Sequence, residues 1–165
     1  MGVSDRDPSP DIEAVYRRRY GRFLRVAAAI LRDEQLAEEA VHDAFVRALR
    51  HRHGFDRRGS LEAWLWRIVV NEARRRRTIE RAAPVTALDE AAAPATANGH
   101  RETGAVEAMV ALLPERQRLA LFLRYYADLD YDAIATALGI KPGTVAAALH
   151  AAHAALRRQL LEVER

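Results

Sequence analysis

Apolar positions recur at three- and four-residue steps through most of the chain, and no segment alternates apolar and polar residues as a half-buried strand would. The first stripe runs Ile12, Tyr16, Tyr20, Phe23, Val26 or Ala27, and Ile30, with Ser9 or Asp11 and the nearby Pro10 as helix-start residues. Asp33 can cap a second helix, whose stripe is Leu36, Ala40, Val41, Ala44, Phe45, Ala48 and Leu49. Its opposite face carries Glu38, Glu39, His42, Asp43 and Arg47. A loop, HGFDRRGS, lies between this helix and a third one capped by Ser60. The third helix sets Leu61, Trp64, Leu65, Ile68 and Glu72 along one side and ends in the arginines Arg74 to Arg77. Trp64 is assigned to the core; Trp66 falls off the stripe and is left to pack on a neighbouring helix or to meet a ligand.

Residues 82–104 break every periodicity: Ala, Pro and Thr dominate, Pro84 and Pro94 punctuate, and Asn98-Gly99 marks a turn. They read as a flexible linker between two lobes. Beyond it the helices are shorter. Val106, Met109, Val110 and Leu113 form a stripe stopped by Pro114, which can also open the next helix, where Leu119, Phe122, Leu123 and Tyr126 face inward. Asp130 caps a short helix containing Ile134, Ala135 and Leu138, and Gly139 supplies a left-handed residue at its end. Lys141-Pro142-Gly143-Thr144 turns the chain into a last helix with Val145, Leu149, Ala152, Leu156 and Leu160 at core spacing. The expected fold is all-α: two small helical domains, residues 12–81 and 105–165, behind a disordered tail over 1–11.

The spacing Ala135, Gly139, Val145 has a physical meaning. Two helices that cross steeply need a small residue at the contact, a positive φ in the turn and an apolar anchor one turn into the second helix. That is the helix-turn-helix requirement. A plain helical hairpin satisfies the same pattern.

Composition narrows the classes. Half of the 165 residues are hydrophobic, so a core can form. No apolar run is long enough to span a membrane, and the N-terminus has no apolar signal segment, so membrane insertion is not expected and a cytoplasmic site is. The chain has no cysteine, which excludes disulfides and thiolate chemistry. Lys141 is the only lysine among 26 basic residues. Residues 1–81 hold 18 basic and 13 acidic side chains, whereas residues 105–165 hold seven of each. The first lobe is therefore suited to a polyanion. His150 with His153, and His51 with His53, have metal-like spacing but no third ligand, and neither a metal nor a cofactor is expected. No phosphate loop, nucleophile–base ordering or paired carboxylates in a cleft is readable, so no catalytic residue is expected.

Three segments together sharpen the reading. LPERQRLALFLRYYADLDYDAIATALGIKPGTVAAALHAAHAALRRQL, Leu113 to Leu160, resembles the C-terminal DNA-binding domain of bacterial sigma factors. LAEEAVHDAFVRAL, Leu36 to Leu49, resembles the helix by which they grip RNA polymerase. FDRRGSLEAWLWRIVVNEARRRR, Phe55 to Arg77, resembles their promoter-melting and −10-reading segment. In this order, with one linker, the set resembles the extracytoplasmic-function group. The resemblance implies core RNA polymerase and promoter DNA as partners, and an anti-sigma factor as a further one. It implies polymerase contacts at Glu38, Glu39, His42 and Asp43, with Val41 and Phe45 as support; the family commonly has Gln at His42. Ordinary solvation of an acidic face is the alternative.

By the same resemblance the loop from Phe55 to Ser60 captures an unstacked base, a task that suits an aromatic ring with Arg57 and Arg58 beside it. Arg67 and Asn71 face the −10 region, and Arg74 and Arg75 lead a run that can neutralise phosphates or merely solubilise a helix end. Lys141, Thr144, His150 and His153 are the remaining polar DNA candidates of the last helix, with Arg157 and Arg158 beyond them. There the chain departs from the family: Ala146, Ala147, Ala148, Ala151 and His153 stand where Lys, Ser, Arg, Arg and Arg are common. Alanine offers only a methyl contact, so weak −35 recognition, or recognition leaning on DNA shape, is expected. Two other classes stay open at this point: a helix-turn-helix regulator working without polymerase, and a helical protein that sequesters a transcription factor.

Overall fold

The computed structural model describes residues 7–83 and 101–163. These residues are helical, with no strand among them: α1 (Ser9–Leu31), α2 (Glu34–Arg50), a 3-10 turn at Arg52–Gly54, α3 (Leu61–Ala82), α4 (Arg101–Ala111), α5 (Glu115–Tyr125), α6 (Tyr131–Leu138) and α7 (Pro142–Val163). The all-α expectation holds. Two boundaries differ from the sequence reading. Helix α1 starts at Ser9, one of the two starts the sequence offers though inside the stretch 1–11 read as a tail, and the Asp7 carboxylate accepts hydrogen bonds there from the Ser9 amide (3.0 Å) and hydroxyl (2.7 Å). Those bonds hold the Asp7 carboxyl below the usual carboxylate range. Helix α4 begins at Arg101, within the stretch read as linker; residues 84–100 lie outside the described residues.

Local chemistry sets the helix ends as the sequence suggests. Side-chain oxygens of Asp33, Ser60 and Asp130 accept from Leu36 N (2.9 Å), Ala63 N (2.9 Å) and Ala133 N (2.8 Å), satisfying amides that a helix start leaves without partners. Gly139 closes α6 at φ 66°, and the Ile140 amide reaches back to the Ala135 carbonyl at 3.0 Å. Pro142 then opens α7. The helix-turn-helix geometry stands, with Ala135 and Val145 both buried at the crossing.

Helices α1, α2 and α3 pack on one another around Phe23, whose ring centroid lies 4.2 Å from that of Trp66 and 5.1 Å from that of Phe45. Helix α7 packs on α5 and α6, and α6 in turn packs on α3. One apolar core therefore runs through both halves. This decides the placements that one stripe leaves open. Helix α3 has neighbours on three sides (α1, α2 and α6), so its buried arc is wider than one stripe. Trp66 is fully buried, while Trp64 is only half-buried. At the periphery Leu49, Val106, Tyr126 and Leu160 are exposed despite their core spacing. Tyr126 instead stacks on the half-buried Phe122, at 5.5 Å and 14°.

Candidate nucleic-acid interface

Helix α2 buries Ala37, Ala40, Val41, Ala44, Phe45 and Ala48, and that commitment fixes what its other side must show. Glu38, Glu39, His42 and Asp43 are all exposed there, in two pairs one turn apart. Glu39 and Asp43 share a partner, Arg76 of α3. Its Nη1 donates to Glu39 Oε2 at 3.0 Å, its Nη2 to Asp43 Oδ2, and its Nε to Glu72 Oε1 at 3.4 Å.

Glu72 sits beneath this pair with its side chain 1% exposed. Arg75 Nη2 lies 2.6 Å from Glu72 Oε1, and Arg47 Nη2 of α2 lies 3.5 Å from Glu72 Oε2. Burial alone would push the Glu72 carboxyl up; the Arg75 guanidinium, with Arg47 and Arg76, outweighs burial and holds it below its ordinary value. Arg76 shows the converse balance: burial disfavours its charge, but the hydrogen bonds to Glu39 and Asp43 win, and its pKa is raised. In the sequence Glu72 falls on an apolar stripe, with no role attached to it. The signal was present, since arginines stand three and four residues after it, the spacing at which helical side chains meet.

The run Arg74 to Arg77 is thus not a free polycation. Arg75 and Arg76 turn toward α2. Arg74 Nε lies 2.9 Å from Glu115 Oε1 of α5. Arg77 is half-buried, and burial together with Arg81 lowers its pKa. On the outer face of α3, Arg67 and Asn71 are exposed one turn apart, and Arg74 continues that line. Arg74 also lines a cleft with Thr144, Ala147, Ala148 and Ala151 of α7, so the alanine-rich stretch of α7 looks onto the end of α3.

The candidate loop lies at the other end of α3, about 20 Å along the axis from Arg74 at ~1.5 Å per residue. Phe55 is half-buried, its ring centroid 5.6 Å from that of Trp64, so the two rings form one tilted pair. Arg57 adopts φ 59°, and the Arg58 amide donates to Asp56 Oδ1 at 3.1 Å, which shapes the turn. In the C-terminal half Lys141 and His150 are exposed, and Thr144 is half-buried with its amide donating to the Lys141 carbonyl at 2.9 Å. His153 is exposed but shares a 2.9 Å hydrogen bond with the Tyr125 hydroxyl. Neither Tyr125 nor Glu115 figured among the sequence candidates, because both lie on α5 and meet the site only through the packing of helices.

Known proteins give this arrangement a context. The family model Sigma-70 region 2 matches residues 15–82, and Sigma-70, region 4 matches residues 103–156. The ECF RNA polymerase sigma factor SigM of Mycobacterium tuberculosis is 30% identical over 149 residues, covering 90% of this chain and 76% of the relative. This chain belongs to the extracytoplasmic-function family of RNA polymerase sigma factors. The RNA polymerase sigma-E factor of Streptomyces avermitilis is 28% identical over 91% of this chain and 85% of its own length. Two solved structures share the fold of this sigma factor at 21% identity. One is CnrH in complex with the cytosolic domain of CnrY (TM-score 0.68, 94% of this chain and 90% of that one). The other is RpoE with the anti-sigma factor NepR from Bartonella quintana (TM-score 0.70, 94% and 99%). In this sigma factor the region 2 match takes in most of α1 and all of α2 and α3, while the region 4 match reaches from α4 into α7. It is a DNA-binding transcription initiation factor that works with RNA polymerase. No helix among the described residues is long and apolar enough to cross a membrane.

Proposed function

We propose that this sigma factor grips core RNA polymerase through the exposed face of α2 and opens promoter DNA with the loop from Phe55 to Ser60 and the outer face of α3. The observation that carries this reading is the pairing on one rigid three-helix unit of an acidic face, Glu38, Glu39, His42 and Asp43, with a separate polar-basic line, Arg67, Asn71 and Arg74. The first suits a basic protein surface and the second a phosphate backbone. Residues 12–81 act as the polymerase and −10 unit, and residues 105–165 place Lys141, Thr144, His150 and His153 near the −35 element. The polymerase supplies the catalysis and this chain has none of its own. It works in the cytoplasm, and an anti-sigma factor is its expected inhibitor; the similarly folded RpoE is solved in complex with one, NepR.

Promoter binding demands a rearrangement of the lobes. The −35 and −10 elements lie roughly 25 base pairs apart, on the order of 80 Å at ~3.4 Å per pair. Helices α3 and α6 pack directly against each other, and packed axes stand ~8–10 Å apart. The packed arrangement is therefore a form of the free protein, and Arg74 must leave Glu115 before both lobes engage DNA. Fluorescence anisotropy of the labelled chain titrated with core RNA polymerase tests the reading. Saturable binding that Glu39→Arg weakens at least tenfold, and His42→Ala less, is expected. Folded protein that fails to bind core polymerase, both as the whole chain and as its separate lobes, would overturn it.

A further inference from the structure

The polymerase reading assigns the four α2 side chains to the contact and gives Arg76, which bonds two of them, no part in it. The geometry points elsewhere: we infer that Arg76 is a positioning residue for polymerase binding, holding Glu39 and Asp43 in the arrangement the polymerase meets. This inference rests on the polymerase-face reading of α2.

Three observations carry it. Arg76 lies nine residues beyond Arg67 on α3, half a rotation around the helix from the DNA-facing line, so it cannot share that line's target. Its side chain is only 19% exposed, whereas Glu39 and Asp43 keep 50% and 51% of theirs. The guanidinium is thus the covered member of the cluster and the carboxylates are its outward face. Its Nε is also turned to Glu72, itself fixed by Arg75 and Arg47, so the group is anchored from below.

The consequence is preorganisation. Two carboxylates one turn apart repel each other and sample several rotamers when free, and a binder must then order them. A single guanidinium bridging both removes that cost before the partner arrives. It leaves lone pairs on each carboxylate for an incoming Lys or Arg, since a carboxylate has about four acceptor sites. The partner side chain implied is therefore cationic and bridges Glu39 and Asp43 from the solvent side.

A double-mutant cycle on the full chain with core RNA polymerase decides the matter. Glu39→Gln and Arg76→Gln are each expected to weaken core binding about tenfold. In the Arg76→Gln background, Glu39→Gln should then cost less than threefold, because the arrangement it exploited is already lost. Arg76→Lys should recover part of the affinity but not all, since a point charge cannot bridge two carboxylates as a planar fork does. A merely structural arginine would lower the melting temperature and give additive losses; additivity overturns the inference. If Arg76→Gln does not fold, Arg76→Lys takes its place: Glu39→Gln should then cost less in that background than in the parent, and equal costs overturn the inference. If Glu39→Gln and Asp43→Asn leave core binding unchanged, the polymerase-face reading has failed, and the inference falls with it.

Discussion

Helix α3 makes two polar seams of opposite character. Toward α2 it sets Arg75 and Arg76 against Glu72, Glu39 and Asp43, with Arg47 closing the cluster, and nearly every charge faces its opposite. Toward the C-terminal half it brings Arg77 and Arg74 to α5, where Arg118 is 8% exposed and donates to the Ala111 (3.0 Å) and Leu113 (3.3 Å) carbonyls. Burial lowers the Arg118 pKa, and Arg77 and Arg32 lower it further; Glu115 works against them. One seam is charge-compensated and the other sets arginine near arginine. The lesson is electrostatic: charge pairing holds the first seam, whereas the second, on the proposed opening of the lobes, is the one that has less ionic attraction to give up.

The comparison can be broken most forcefully at the core that both seams share. Trp66→Ala removes the largest fully buried side chain and should cost about 3–5 kcal/mol, with loss of cooperative thermal unfolding as the readout. Glu72→Gln comes next, at about 2 kcal/mol, near 5 °C in melting temperature for a chain of this size. The sign of its pH dependence follows from the lowered carboxyl pKa. Stability from Glu72 is fully present above the unfolded value of about 4.3 and disappears as pH falls through the folded one. Urea midpoints should therefore drop more steeply between pH 5 and pH 2 in the parent than in Glu72→Gln. Parallel curves would show that the carboxylate is not held ionised.

Asp130→Ala, which removes the α6 cap, should cost about 1 kcal/mol. The smallest effect on stability belongs to the parting seam. Glu115→Gln breaks a half-exposed pair with Arg74, so about 0.5 kcal/mol or less is expected. Yet it should increase the distance between dyes placed on α2 and α7, because it removes the carboxylate that opposes the arginines. A loss larger than that of Glu72→Gln, with the distance unchanged, would reverse the contrast between the seams.

Much of this was legible in the chain itself. Caps at Asp33, Ser60 and Asp130, the Gly139 turn and the 3.6-residue periodicity are local signals, and they located the helices and the helix-turn-helix. The exposed face of α2 was legible for the same reason, since burying Val41 and Phe45 leaves Glu38, Glu39, His42 and Asp43 outside. What failed were judgements of burial at positions where the stripe alone does not say which neighbour covers them. Trp66 takes the first of the two places the sequence left open, packed on a neighbouring helix at Phe23 of α1, while Trp64, read as core, is only half-buried. Tyr126 and Leu160 have core spacing but no helix packed over them.

The sequence alone therefore determined the all-α class, the capped helix ends at Asp33, Ser60, Asp130 and Gly139, and the charge contrast between the two halves, because each depends on contacts within a turn or on composition. Only the tertiary structure decided which of the neighbouring arginines reach partners on other helices. Arg74 goes to Glu115 and Arg76 to Glu39 and Asp43, with partners as far as 41 residues away in the chain, while Arg75 keeps the local partner Glu72 that its spacing already offered. Four identical neighbours in a sequence differ by about 100° each around a helix, and the helix packed on each side sets what each one meets.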